Sequence, residues 1–518
     1  MKTTIAFFVI LFIFLGIRFY GFNDYFELVS DNGTELAVVA AIKQGQCFPK
    51  IGPLLSANGI YIPPTYFYLL FVENLIFSRP LLLGYFSSLL QLSSVGFLMA
   101  VIWQFNQKRV FLVSFIFLAT SLAFFAPSRL IWHPNPVEYF LSASLFLLIY
   151  AKKYQYWQAL VGSLLTFWFA TSIYPSTLLL VIWYVIELII FLRAKNLNWL
   201  KTIFLSLIIT ALTALPFYFS QLWFELANNL PTMTALWKGL NSTQINSPIS
   251  FTTLISNFQN FYDRFLILML GIIPGFKWFW LEKLLISFGL LSLIILSVIQ
   301  KGHTWLTRFP YLFLGFGLIN TVFLQLILPD QFYPHQVMPV LIILILSISE
   351  ALTKLKTSKA YMAYMISIVL VIILNNLFGL RAYFSESAVF SPESLSQKQI
   401  RMEKLGSFMN THALIKNKTL ILDHTAIDTT YDNIHDLQFD AMDNWYLLEN
   451  KTLMPQLNST CNQYQLFEAA EVQELAANII LIEPRQLVSS SPETLFQTFR
   501  KKTTIDLSDH FSAIWYTK

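Results

Sequence analysis

The chain has 518 residues, 56% of them hydrophobic and only 12% charged, with a formal net charge of +5. Soluble proteins of ordinary composition carry about a quarter of their residues as charged side chains, so this composition, with a mean hydropathy of +0.58, excludes a soluble enzyme and predicts a membrane protein. The basic excess falls in short loops between apolar runs, which removes the need for a nucleic-acid partner.

In chain order, runs near the ~20 apolar residues that cross a bilayer core predict about eleven spans, at 4–22, 80–104, 110–127, 137–151, 157–172, 175–192, 202–220, 283–300, 309–328, 337–353 and 361–380. The first run follows Lys2 and has no small-residue cleavage site behind it, as expected of a retained signal anchor. The alternate loops 106–109, 152–157, 193–201, 301–308 and 354–359 together hold twelve Lys or Arg and no Asp or Glu. That asymmetry marks the cytoplasmic side, so the N-terminus is expected inside and the C-terminus outside an inner (cytoplasmic) membrane.

The outer segments are then 23–79, 128–136, 221–282 and 329–335. In the first of them, Asp31–Lys43 starts polar and carries Leu36, Val38, Val39 and Ile42, which predicts a helix lying in the membrane interface and stopped by Gly45. Phe48–Pro64 is rich in Pro and Gly and reads as a loop; Tyr66–Phe77 is apolar but short, and reads as a second interfacial helix. Beyond the membrane part (1–380), residues 381–518 are polar and read as a small outer α/β domain. Helices are expected at 397–409 and 492–501, and strands at 418–422, 477–482 and 511–516. Cys47 and Cys461 both fall outside, where either a disulfide or two separate thiols is compatible with the sequence.

Asp31 and Glu35 are four residues apart, so their carboxylates can share a helix face near the headgroup plane. A carboxylate there can take a proton from an attacking hydroxyl, and Asp31 also suits a divalent cation such as Mg or Mn. The plainer alternative is that Asp31 caps the helix and Glu35 is solvated. In the second outer segment, Arg129 offers a fixed charge for phosphate or an interfacial anchor, and His133 a phosphate ligand, a proton shuttle or a surface histidine. Glu138 follows, either near the site or paired with Arg129. In the fourth segment, Tyr333 and His335 are further candidates for a lipid phosphate; Arg264 and Lys277 in the third are weaker ones. The chain has no phosphate-cradling glycine loop, and its His and Cys are too scattered for a zinc site.

The opening of the chain resembles the lipid carrier-dependent glycosyltransferases of the GT-C fold (family 39-like), which include protein O-mannosyltransferases and the lipid A aminoarabinose transferase. The residues that carry the resemblance are Asp31-Asn32-Gly33-Thr34-Glu35, then Gly52 and Gly59, then Pro63-Pro64-Thr65-Tyr66-Phe67-Tyr68. It extends over about residues 1–380 and is strongest over 1–150. Relatives often have adjacent Asp-Glu, where this chain has Asp31-Asn32, and a basic residue before the Pro pair, where this chain has Ile62. The resemblance implies Asp31 as catalytic base, with Glu35 as the second acid. It also implies a substrate loop at Pro63, Pro64 and Tyr66, and donor phosphate contacts from Arg129, His133, Tyr333 and His335. The implied reaction moves a sugar from a polyprenyl-phosphate lipid to an extracytoplasmic glycan, lipid or protein acceptor. The competing readings are a transporter or lipid flippase, which favours charges deep in the membrane and inverted repeats, and a polysaccharide polymerase or ligase. Glu187 and Glu350 fall near span ends, and no repeat is visible.

Overall fold

The computed structural model describes most of residues 2–241; of the remainder it describes chiefly 338–346, 359–386, 395–424, 441–448, 467–484, 499–507 and 511–518. The expected spans at 283–300 and 309–328 lie outside the described residues, apart from a few isolated positions.

Helices stand at most of the expected spans that are described. Lys2–Phe19 is the first, followed by Pro80–Trp103, Pro136–Tyr154, Trp157–Ile173, Val181–Arg193 and Trp199–Ala227, and later by Lys359–Glu386. Local chemistry sets their ends. Pro136 opens one helix at a position where its missing N–H costs nothing, Glu138 sits in the first turn, and Lys152 and Lys153 close the last turn, each sign matching the helix dipole. Asn198 caps another by accepting from the Leu200 N–H at 3.2 Å.

Pro80–Trp103 and Trp199–Ala227 are, among the described residues, long and apolar enough to cross a membrane. The second buries little of itself against protein and exposes Leu200, Phe204, Leu207, Phe219, Leu222 and Trp223. Such a surface is stable facing lipid and costly facing water. Two expected spans are less regular than the sequence suggests. The run 110–127 ends in a short helix, Leu122–Phe125, that tightens into a 3-10 turn at Ala126–Arg129, and the run 175–192 starts as a 3-10 turn, Pro175–Leu180. Proline at 127 and 175 explains both, because each removes an N–H from the α ladder. Where helices 136–154 and 157–173 meet, small residues let them close together: the Ser144 hydroxyl donates to the Ser163 carbonyl at 2.6 Å.

The C-terminal part is built on a four-stranded mixed sheet. Its order is Thr419–Asp423, Asn478–Pro484, Phe511–Thr517 and Arg500–Asp506, the first pair parallel and the others antiparallel. The three expected strands are all present, and the helix expected at 397–409 runs Leu395–Thr411. The helix expected at 492–501 needs correction at its end: Arg500 and Lys501 begin an edge strand, paired to Thr517 and Tyr516. Its lysines point to a solvated edge, the usual protection of a strand with one free side.

The two outer helices are Ser30–Lys43 and Thr65–Ile76, close to their expected positions, but the first does not lie bare on a membrane surface. Leu36, Val38, Val39 and Ile42 pack with Tyr66, Phe67, Leu70 and Ile131, while Ala37 enters the core of the C-terminal part beside Trp445 and Met442. The sequence shows one greasy face. Ala37 stands off that face, and because its side chain is small a second body can approach closely and bury this side of the helix as well. Cys47 and Cys461 form a disulfide across 414 residues, with Cα atoms 5.7 Å apart, and Asn74 Nδ2 donates to the Tyr446 hydroxyl at 3.1 Å. Both links fasten the C-terminal part to the first outer segment.

Candidate functional site

Three segments converge on Glu35. The Ser30–Lys43 helix carries it, the loop 130–135 brings His133, and the start of the Thr65–Ile76 helix brings Tyr66. Asn32 donates to the Ile131 carbonyl, pinning the first helix to the loop, and the Asn135 amide donates to the Leu130 carbonyl at 2.7 Å, holding that loop closed. Position 32 is thus a structural anchor in this chain.

The Tyr66 helix is aimed by the segment before it. Gly52 N–H donates to the Ile62 carbonyl at 2.6 Å, and Ile62 N–H to the Pro53 carbonyl at 3.3 Å. A Cβ on Gly52 would overlap the Pro63 carbonyl, so only glycine permits this approach. Pro63 and Pro64, both buried, then launch the helix, with the Pro64 carbonyl accepting from Tyr68 N–H at 3.3 Å.

Within this frame the His133 Nδ1 lies 2.7 Å from Glu35 Oε1, with 12% and 5% of the two side chains exposed. The Tyr66 hydroxyl also hydrogen-bonds with Glu35. Burial first, then the charges of Glu35 and Glu73, push the Tyr66 hydroxyl well above the usual phenol range, so it acts as a proton-bearing donor to the carboxylate. The rings of Tyr66, Trp132 and Tyr174 surround the imidazole at centroid distances of 6.0, 5.6 and 5.6 Å. With Nδ1–H donating to a carboxylate, an imidazole presents Nε2 outward as its working nitrogen. The solvated role open to Glu35 is overturned: it is buried and held from two sides.

Arg129 is placed differently from its expected phosphate contact. Its guanidinium is buried and donates to the carbonyls of Arg18 at 3.1 Å, Tyr20 at 2.6 Å and Gly21 at 3.5 Å, and it packs on the rings of Phe125 and Phe22. It closes the carbonyl end of the first helix, where a cation is favoured by the dipole. Glu138 is also buried, and the cation that acts on its carboxylate is Arg18 rather than Arg129. Asp31 is on the same helix as Glu35, one turn earlier, and its side chain lies outside the described residues, as do Tyr333, His335, Arg264 and Lys277. Among the described residues, no three His, Cys, Asp or Glu side chains group as a metal site.

Two residues of this region escaped the sequence reading. Tyr174 lies against His133 at a tilt of 39° from the end of the Trp157–Ile173 helix, and nothing local could reveal it. Glu73 was legible: it is an acid inside an apolar helix, two turns after Tyr66 and so on its face. It is 6% exposed, and burial pushes its carboxyl up to about 8.

No family model matches the chain, and neither does any curated protein. Solved structures similar to it include two of one protein. ArnT from Cupriavidus metallidurans bound to undecaprenyl phosphate is 10% identical, with a TM-score of 0.43 over 98% of this chain and 97% of that one. The same protein in the apo state is 10% identical, with a TM-score of 0.42 over 100% of this chain and 98% of that one.

Proposed function

We propose that this chain is a membrane-embedded glycosyltransferase that moves a sugar from a polyprenyl-phosphate donor to an acceptor outside the cytoplasmic membrane, with inversion at the anomeric carbon. The observation that carries the reading is the buried Glu35–His133–Tyr66 cluster, assembled from three outer segments beside an apolar helix array. The resemblance of Asp31–Tyr68 to lipid carrier-dependent glycosyltransferases supports the same location.

In this reading Asp31 takes the proton of the acceptor hydroxyl as its oxygen attacks the anomeric carbon. The bond from that carbon to the phosphate oxygen breaks, and polyprenyl phosphate leaves with the electron pair. Glu35 orients His133, whose Nε2 meets a phosphate oxygen together with Tyr333 and His335. Tyr66 donates to Glu35 and keeps its carboxylate fixed. Arg129 enters as the clamp on the first helix. A single displacement with one base gives inversion, and the lipid phosphate supplies the activation that a nucleotide sugar would supply in the cytosol. Residues 1–380 form the transferase unit, and 381–518 an outer domain that closes over it.

The test is mass spectrometry of lipids that co-purify with the Asp31→Asn protein in mild detergent, alongside incorporation of labelled sugar into membrane glycans. A polyprenyl-phosphate sugar enriched on the variant, with incorporation abolished, is the expected result. Wild-type incorporation by Asp31→Asn removes the base, and the absence of any such lipid from both proteins removes the donor.

A further inference from the structure

A cleft of about 1370 Å³ opens between the outer helices and the C-terminal part, away from the Glu35 cluster. One wall presents Lys43, Asn74 and Arg79; the other presents Gln399, Asn410 and Tyr446. The side chains of Lys43, Arg79, Gln399 and Asn410 make no hydrogen bond or ion pair to the described residues. Their donors and acceptors therefore remain for something that enters. Between these polar groups lie apolar patches from Met409 and Leu448.

That mixture selects a ligand class. Carboxamides offer both donor and acceptor, as a vicinal diol does, and the apolar patches match the C–H faces of a sugar ring. Lys43 and Arg79 put two cations on one wall, against Glu403 on the other. Arg79 directly precedes Pro80, the first residue of an apolar helix long enough to span, so its charge stands at the membrane end of the cleft. A glycan entering here meets neutral hydroxyl-binding groups along its length and a cation at its membrane end.

The cleft is also connected to the chemistry. Lys43 follows Glu35 by eight residues on one helix, and Asn74 follows Tyr66 by eight residues on the other. Eight residues of α-helix span about 12 Å. Both helices thus lead from the Glu35–Tyr66 pair into the cleft, and a chain lying in it can extend its end to the reacting centre.

We infer that this cleft is the acceptor site, and that the acceptor is a hydroxyl-rich glycan bearing an anionic group, phosphate or carboxylate, near its membrane end; the assignment rests on the transferase reading. The outer domain then supplies acceptor binding, while the membrane part supplies the donor site and the reaction.

The test uses full-length protein in mild detergent on an array of neutral and acidic oligosaccharides, with undecaprenyl-phosphate capture followed separately by native mass spectrometry. Ser407 and Asn410 are exposed on the helix that forms one wall, so Ser407→Trp and Asn410→Trp fill the cleft without entering a core. Each is expected to lower glycan retention by about ten-fold or more, with lipid capture unchanged. Arg79→Ala is expected to lose the acidic glycans and keep the neutral ones. Wild-type protein that retains no glycan while capturing the lipid overturns the cleft assignment, as does undiminished retention by both tryptophan variants. Retention of glycans without lipid capture leaves the cleft as a glycan site and removes the transferase reading instead.

Discussion

Glu73 offers a quantitative test of the packing between the outer helices. Its carboxyl is 6% exposed, and burial raises it from an ordinary value of 4.5 to about 8. Between those values the folded protein holds a proton that the unfolded chain has released, so stability falls as pH rises through that window. Each pH unit costs about 1.4 kcal/mol, and the interval of about 3.5 units implies a total near 5 kcal/mol once Glu73 is ionised in both states. Glu73→Gln keeps the shape and removes the charge. The two proteins should match at pH 5, and the variant should gain progressively to about pH 8, by a few degrees in melting temperature for a protein of this size. Thermal unfolding in mild detergent, read through the fluorescence of the 13 tryptophans, measures this directly. Parallel pH profiles for the two proteins would refute the burial of an acid at this position.

Three further outcomes are expected. Glu35→Gln weakens the hold on His133, a donor-phosphate contact in the proposed reading, and should lower sugar transfer by about 10²-fold or more together with the amount of donor lipid that co-purifies; unchanged transfer counts against the cluster. Cys47→Ser removes the covalent link to Cys461 and should cost about 2–4 kcal/mol, read as a lower melting temperature and faster proteolytic release of the C-terminal part. Gly52→Ala forces the backbone away from the Pro63 carbonyl and should cost about 1–3 kcal/mol, with transfer falling because the Tyr66 helix is displaced; wild-type stability and transfer would show that the turn tolerates a side chain.

Much of the candidate site was visible in one dimension because its residues combine unusual chemistry with unusual context. Glu35 follows a polar helix start, Pro63-Pro64 precedes an aromatic run, and His133 stands between Trp132 and Pro134 in a short outer segment. Each is conspicuous against apolar surroundings. Their partners were not visible. Arg129 looked as suited to a phosphate as to an anchor, and its choice of the carbonyls at 18, 20 and 21 depends on how the first helix ends. Asn32, which follows Asp31 where an acidic pair would read more naturally as catalytic, is explained by the Ile131 carbonyl 99 residues away.

Hydropathy and charge by themselves gave the expectation of a membrane setting and of an orientation, and they located most of the described helices and three strands of the C-terminal sheet, since these follow from local solvent transfer and backbone geometry repeated along the chain. Only the tertiary structure decided that the Glu35 helix is buried on both faces, that Cys47 joins Cys461, and that Tyr174 and Glu73 stand near the cluster. Those facts depend on which surfaces meet after folding. Small residues such as Ala37 leave no mark in sequence until a second body packs against them.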